Sequence, residues 1–239
     1  MTDDVAHWSS VAEDWTQWAR TPDHDSFWAY RAALQAFVGS GFGAALEIGC
    51  GEGRVARALG ELGYEMTVAE PAPALLQAAR DADSAHAYLA APATALPVAD
   101  GSFDLVVFYN VLMDVDDLQA AMHEAARALR PGGRLMIGIV HPMADHHFLR
   151  EQGEDPGDYF ATHLMDTKVE TRGVHMHFRG WRRPLSAYFE AMRQSGLVVS
   201  EVAEPGPDPD HPFTKNATRW RSLPLFFWLM AVKPEDPAR

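Results

Sequence analysis

Residues 44–54 read AALEIGCGEGR. An apolar run carries one acid, Glu47, into a turn with glycines at 49, 51 and 53. A strand buried on both faces reads as such a run, and glycines after it let backbone approach a ligand. The ligand is narrowed by elimination. A triphosphate loop needs Gly-x-x-x-x-Gly-Lys-Ser/Thr, and no lysine follows Gly53. The dinucleotide fingerprint needs Gly-x-Gly-x-x-Gly, and here the last glycine is misplaced. A carboxylate at Glu47 sits poorly beside a pyrophosphate but suits an ammonium group.

Working outward, the segments alternate. Strands are expected at Ala44–Ile48, Glu65–Ala69, Ala85–Leu89, Asp104–Phe108 and Arg134–Val140. Helices are expected at Arg54–Leu62, at Pro73–Arg80 with proline in its first turn, and at Leu118–Leu129 before Pro131-Gly132-Gly133. This order implies right-handed crossovers and a parallel sheet covered on both faces, with ligands at the carboxyl ends of its strands. Glu70 ends the second strand, where an acid accepts the hydroxyls of a ribose. Glu47 and Glu70 together ask for a nucleoside with a cationic tail and no phosphate, which is the form of S-adenosylmethionine.

The flanks read differently. Residues 5–38 carry aromatics among polar residues and read as one or two helices broken near Pro22. Beyond residue 141, TKVETRGVHMHFRGW alternates and reads as a hairpin turning at Arg172-Gly173. A helix over Arg183–Ser195 and strands over Leu197–Ala203 and Leu225–Val232 complete the pattern. Glu204–Pro212 reads as a loop, and Pro205–Pro224 as irregular.

Composition bounds the function. The 239 residues allow one large domain or a domain with a cap. The net charge of −13 argues against a nucleic-acid partner. The lone cysteine, Cys50, excludes an internal disulfide and any cysteine-rich zinc site. No signal peptide and no membrane span are expected, since the run Leu223–Val232 is short and holds Pro224. A cytoplasmic protein is the simple reading.

The motifs carry a resemblance. LEIGCGEGR followed by VAEP, then ALPVADGSFDLVVFYNVLMDV, then ARALRPGGRLMIGIVHP, resemble in order and spacing the motifs of the class I S-adenosylmethionine-dependent methyltransferases of methyltransferase type 11 over residues 44–142. The resemblance implies an α/β, Rossmann-like, doubly wound seven-stranded sheet with helices on both faces. Its last strand is antiparallel and lies between the fifth and sixth. It implies a single domain over 1–239. Residues 1–40 would form an N-terminal helical cap, 41–142 the cofactor-binding core, 143–183 a cap and substrate insertion after strand 5, and 184–239 the C-terminal part of the sheet.

The resemblance also implies site residues. Glu47, Gly49, Cys50, Gly51 and Gly53 would line the methionine part of S-adenosyl-L-methionine. Glu70 would hold the ribose, with Pro71, Ala93 and Leu96 about the adenine and Tyr109 and Asn110 beside the methyl group. An Asp-Ala pair common in relatives is replaced by Pro92-Ala93. Adenine would therefore be held by backbone groups and apolar contact.

The expected reaction is methyl transfer by in-line displacement to O, N or C of a small, partly aromatic or apolar molecule. Two alternatives share the fold: a non-methylating reaction of the same cofactor, and a non-catalytic binding protein. Candidate bases are His141, directly after the fifth strand, and His175 and His177 in the alternating segment. Candidate substrate residues are Trp15, Trp28, Tyr30, Asp114, His163 and Trp181. Arg172, Arg179, Arg182 and Arg183 could meet an anionic substrate. Asp145, His146 and His147 have weak metal-site spacing, and no metal is expected. A homodimer stays open.

Overall fold

The computed structural model describes residues 3–21, 24–171, 173–211 and 215–235. Pro22, Arg172 and Pro212 lie outside them. Nine strands and eight α-helices are found among the described residues. Three helices precede the sheet, α1 Asp3–Ser10, α2 Ala12–Arg20 and α3 Phe27–Val38, where one or two were expected. The alternating part follows as β1 Ala44–Ile48, α4 Arg54–Gly60, β2 Glu65–Ala69, α5 Pro73–Asp81, β3 Ala87–Leu89, β4 Phe103–Tyr109, α6 Leu118–Ala128 and β5 Leu129–Val140. Then come α7 Pro142–Glu151, β6 His163–Thr171, β7 Val174–Arg182, α8 Leu185–Gln194, β8 Val198–Ala203, a 3₁₀ turn at Lys215–Arg221 and β9 Phe226–Val232.

Seven strands form one sheet in the order β3-β2-β1-β4-β5-β9-β8. The first five are parallel, and β9 runs antiparallel between β5 and β8. This is the expected architecture. The apolar runs are continuous because both faces are covered, and successive side chains point to opposite faces. On β4, Val106 and Phe108 pack with Ala121, Ala125 and Met192 of α6 and α8. Leu105, Val107 and Tyr109 pack with Phe27, Leu34 and Val55 of α3 and α4.

β5 begins five residues earlier than the sequence suggested. Leu129 pairs with Phe103 across a register shift, and Gly132 N–H donates to the Lys233 carbonyl at 2.8 Å, so the proline-glycine turn is drawn into the ladder. β6 and β7 pair as a separate two-stranded hairpin. Its apolar face, Val174 and Met176 with Phe178, packs on Val11 and Trp18 of the N-terminal helices. Trp8 and Trp15 also meet Leu75 of α5. The first two helices therefore bridge hairpin and sheet over the carboxyl ends of the strands.

Candidate active site

Two adjoining cavities lie under that bridge. The first, about 1120 Å³ including its open mouth, follows the turn after β1. Glu47, Gly49, Cys50 and Gly51 line one end, Glu70, Pro71 and Ala93 the other, and Tyr109 and Asn110 the floor. The second, about 1240 Å³ on the same measure, lies between β5, α7, β7 and α8. Trp8, Trp15, Arg54, Asn110 and Asp114 line both, so the two meet there.

The turn is held by charge. Glu70 accepts from Gly51 N–H through one oxygen and from Ala72 N–H through the other, both at 2.9 Å. A carboxylate has about four acceptor positions, so two are left for donors in the cleft. Glu52 binds Arg57 through both oxygens at 2.9 Å and Arg20 of α2 at 2.9 Å, which ties the bridge to the turn. Gly51 has φ +55°, and a Cβ there would stand 2.9 Å from Trp15 Nε1. Only glycine permits both that backbone and that close approach.

The buried acceptors define what the first cavity can hold. Glu47 Oε2 and Asn110 Oδ1 are buried without a hydrogen-bond partner. Burial pushes Glu47 up to about 8 and Glu70 up to about 7. Asn110 is in the left-handed region, φ 55°, with its N–H bound to the Gly138 carbonyl at 2.8 Å, which fixes its side chain at the strand end. Unpartnered acceptors beside a raised carboxyl suit a ligand that brings donors and positive charge. The acceptor set therefore fits the aminoacyl end of S-adenosylmethionine. Glu70 lines this cavity together with the apolar side chains of Pro71, Leu75 and Pro92.

Other expected cofactor residues lie elsewhere. Gly53 is the N-cap of α4 and backs onto Ser84. Leu96 is turned into the core, and its N–H donates to Glu124 at 2.7 Å.

Of the expected substrate residues, Trp15, Asp114 and Trp181 line the second cavity. Trp28 instead donates its indole N–H to the Ala19 carbonyl at 3.0 Å and packs into the core. Tyr30 is fully buried edge-on to Phe226. His163 faces a shallow crevice with Asp158. The aromatic pattern before β1 marks helix packing for these residues, because an amphipathic face and a pocket wall carry the same letters.

The three candidate bases, His141, His175 and His177, sit outside both cavities. His141 is the N-cap of α7: its Nδ1 accepts from Met143 N–H, and its Nε2 meets Glu204 Oε1, both at 3.0 Å. His175 stands exposed near Glu170 on the hairpin. His177 meets Asp166 at 2.7 Å, and its carbonyl is 2.9 Å from His7 Nε2, on the face that anchors α1. No cluster suited to a metal ion occurs among the described residues.

Sequence reasoning gave no substrate-side role to some residues that the second cavity does hold. Arg54 pairs with Asp25, and Asp145 projects from the first turn of α7. Burial pushes Asp145 up to about 7 and Asp114 well above the carboxylate range. The strand-end rule, applied beyond His141 to the next acid, would have found Asp145. Of the arginines, Arg179, Arg182 and Arg183 line the cavity.

Comparison with known proteins agrees with this geometry. Residues 46–137 match the methyltransferase domain family. The malonyl-[acyl-carrier protein] O-methyltransferase of Salmonella typhimurium is 34% identical over 129 residues, 54% of this chain and 50% of that protein. The chain thus spans about half the length of the curated relatives it matches. An S-adenosylmethionine-dependent methyltransferase of Thermotoga maritima superposes with a TM-score of 0.64 at 19% identity, over 96% of this chain and 99% of that one. One of Mesorhizobium loti gives 0.60 at 20% identity, over 88% and 99%. With its motifs, strand order and cleft in agreement, the chain has the fold of the S-adenosylmethionine-dependent methyltransferases, and residues 46–137 resemble their catalytic domain.

Proposed function

We propose that the protein transfers the methyl group of S-adenosylmethionine to a nucleophilic atom of a small molecule held in the second cavity. One observation carries this reading: the two cavities meet at Asn110 and Asp114, at the end of the strand that borders the cleft. Methyl transfer needs an attacking atom in line with the bond to the sulfonium, and two compartments with a common wall provide that approach. Bound in the first cavity, the cofactor supplies an electrophilic methyl group. Glu47 and the Asn110 carbonyl oxygen accept from its ammonium group, and Glu70 accepts from its ribose hydroxyls. Trp8 and Trp15 exclude water from both compartments.

The described parts of residues 1–40, with 143–183, serve on this reading as a cap over a 41–142 cofactor core. The family match over 46–137 spans most of the cofactor cleft and stops before Asp145 and the hairpin. Its relatives' acceptors therefore do not carry over. Aromatic walls support an acceptor with an apolar or aromatic body.

The test is twofold. Calorimetry with S-adenosylhomocysteine should give binding in the micromolar range or tighter, and turnover should release S-adenosylhomocysteine together with a methylated product. Absence of heat at millimolar ligand would refute the cofactor reading. Consumption of cofactor without a methylated product would indicate another reaction.

A further inference from the structure

The second cavity holds two acids that its surroundings leave unpaired. Asp114 lines both cavities, and Asp145 of α7 lines the second. Among the described residues no hydrogen bond or ion pair engages either carboxyl. Asp114 faces Glu70 and Asp4 as well as Arg183, and Asp145 faces Arg182.

Arg54, Arg182 and Arg183 make their close contacts with groups other than these two acids. Arg54 lies 2.8 Å from Asp25. Arg183 donates to the carbonyls of Leu112 at 2.8 Å and Val115 at 2.7 Å. Arg182 donates to the Pro156 carbonyl at 2.9 Å and keeps one buried Nε–H without a partner. Arg179 stands opposite Asp166 in the hairpin. Trp8, Trp15 and Trp181 line the same cavity as the two acids. Carboxylates together with ring faces are the means by which proteins hold an alkylammonium group on a flat body.

We infer that the acceptor is a primary or secondary amine on an aromatic or apolar body, bound between Asp145 and Asp114, with Asp114 as its base. This rests on the methyl-transfer reading above. The bound ammonium passes one proton to an Asp114 carboxylate oxygen, which frees the nitrogen lone pair. That pair forms the new N–C bond while the C–S bond breaks and its electrons stay on sulfur. The products are a protonated N-methyl amine, a neutral thioether and a protonated Asp114, so charge and atoms balance. Asp114 is suited to the step because its buried site already favours the protonated carboxyl.

The test uses the full chain saturated with S-adenosylhomocysteine and three probes that share an indolylethyl body: tryptamine, tryptophol and indole-3-propionate. Calorimetry should show tryptamine binding roughly tenfold tighter than tryptophol, the scale of one charged hydrogen bond. The propionate should be weakest. Asp145→Asn and Asp114→Asn should each erode the preference for tryptamine several-fold, with melting curves certifying the fold. With S-adenosylmethionine, Asp114→Asn should lower kcat for tryptamine more than it raises KM. Tryptophol or the propionate binding as well as tryptamine, or none of the three binding, overturns the assignment. Failure of S-adenosylhomocysteine to bind overturns the underlying cofactor reading instead.

Discussion

Arg54 Nη1 lies 2.8 Å from Asp25 Oδ2, and both side chains are only 8% exposed. The contact is an ion pair off the hydrogen-bonding axis, since Nη1 makes no hydrogen bond. The guanidinium lies 4.8 Å from the centre of the Trp15 ring and 5.2 Å from that of Phe27. The first residue after the glycine turn is thus the joint between turn, bridge and α3.

Breaking that joint on one side should be costly. Arg54→Ala leaves Asp25 buried and uncompensated, and should lower stability by about 3–5 kcal/mol. Urea unfolding measures it. The double variant Asp25→Leu with Arg54→Met should recover most of the loss. A single-variant loss under about 1 kcal/mol would show that the pair adds nothing to the fold.

Glu47 should trade stability against binding. It is an acid buried with one oxygen unpartnered, so Glu47→Leu should leave the ligand-free protein as stable or more so. The same change should weaken S-adenosylhomocysteine by about 1.5–3 kcal/mol, the worth of a hydrogen bond to a charged group. Equal affinity in calorimetry would place the ammonium group elsewhere.

The buried acids also set a pH dependence. Glu47 rises to about 8, and Glu70 and Asp145 to about 7. Between about pH 4.5 and 8 the folded state then binds more protons than the unfolded chain, so their contribution is full below about 4.5 and is lost as pH rises through 7 to 8. The melting temperature of the ligand-free protein should fall over this window. S-adenosylhomocysteine should flatten the fall, because its ammonium group favours ionised Glu47. A melting temperature that climbs from pH 5 to 8 would contradict the burial of these groups.

His141 should behave as a helix cap. His141→Ala removes the acceptor for Met143 N–H and should cost about 1 kcal/mol, or roughly 2–4 °C in Tm. S-adenosylhomocysteine affinity should not change. A loss of turnover larger than this loss of stability would return His141 to the chemistry.

The cofactor half was legible because its constraints are local. A strand buried on both faces, a turn that only glycine can make and an acid at each of two strand ends each leave a mark in consecutive letters. β1 accordingly spans the residues the sequence indicated. The acceptor side was less legible because its walls come from segments far apart in the chain. Asp145 looked like one more polar residue beside His146 and His147, and only the packing of α7 turns it into the cavity. Alternation in β7 showed that His175 and His177 share a face. It could not show that this face carries the anchor for α1 and not the site.

Strand order has a consequence for assembly. Every residue lining the first cavity precedes α6, whereas the second needs Leu225 and Phe226 at the start of β9. β9 leaves the ribosome after the other strands of this sheet, yet it takes an interior place between β5 and β8. During synthesis, the groove for the common metabolite can form while the selective chamber still lacks a wall. On the proposed function, the nascent chain acquires its general half before the walls that would choose its acceptor.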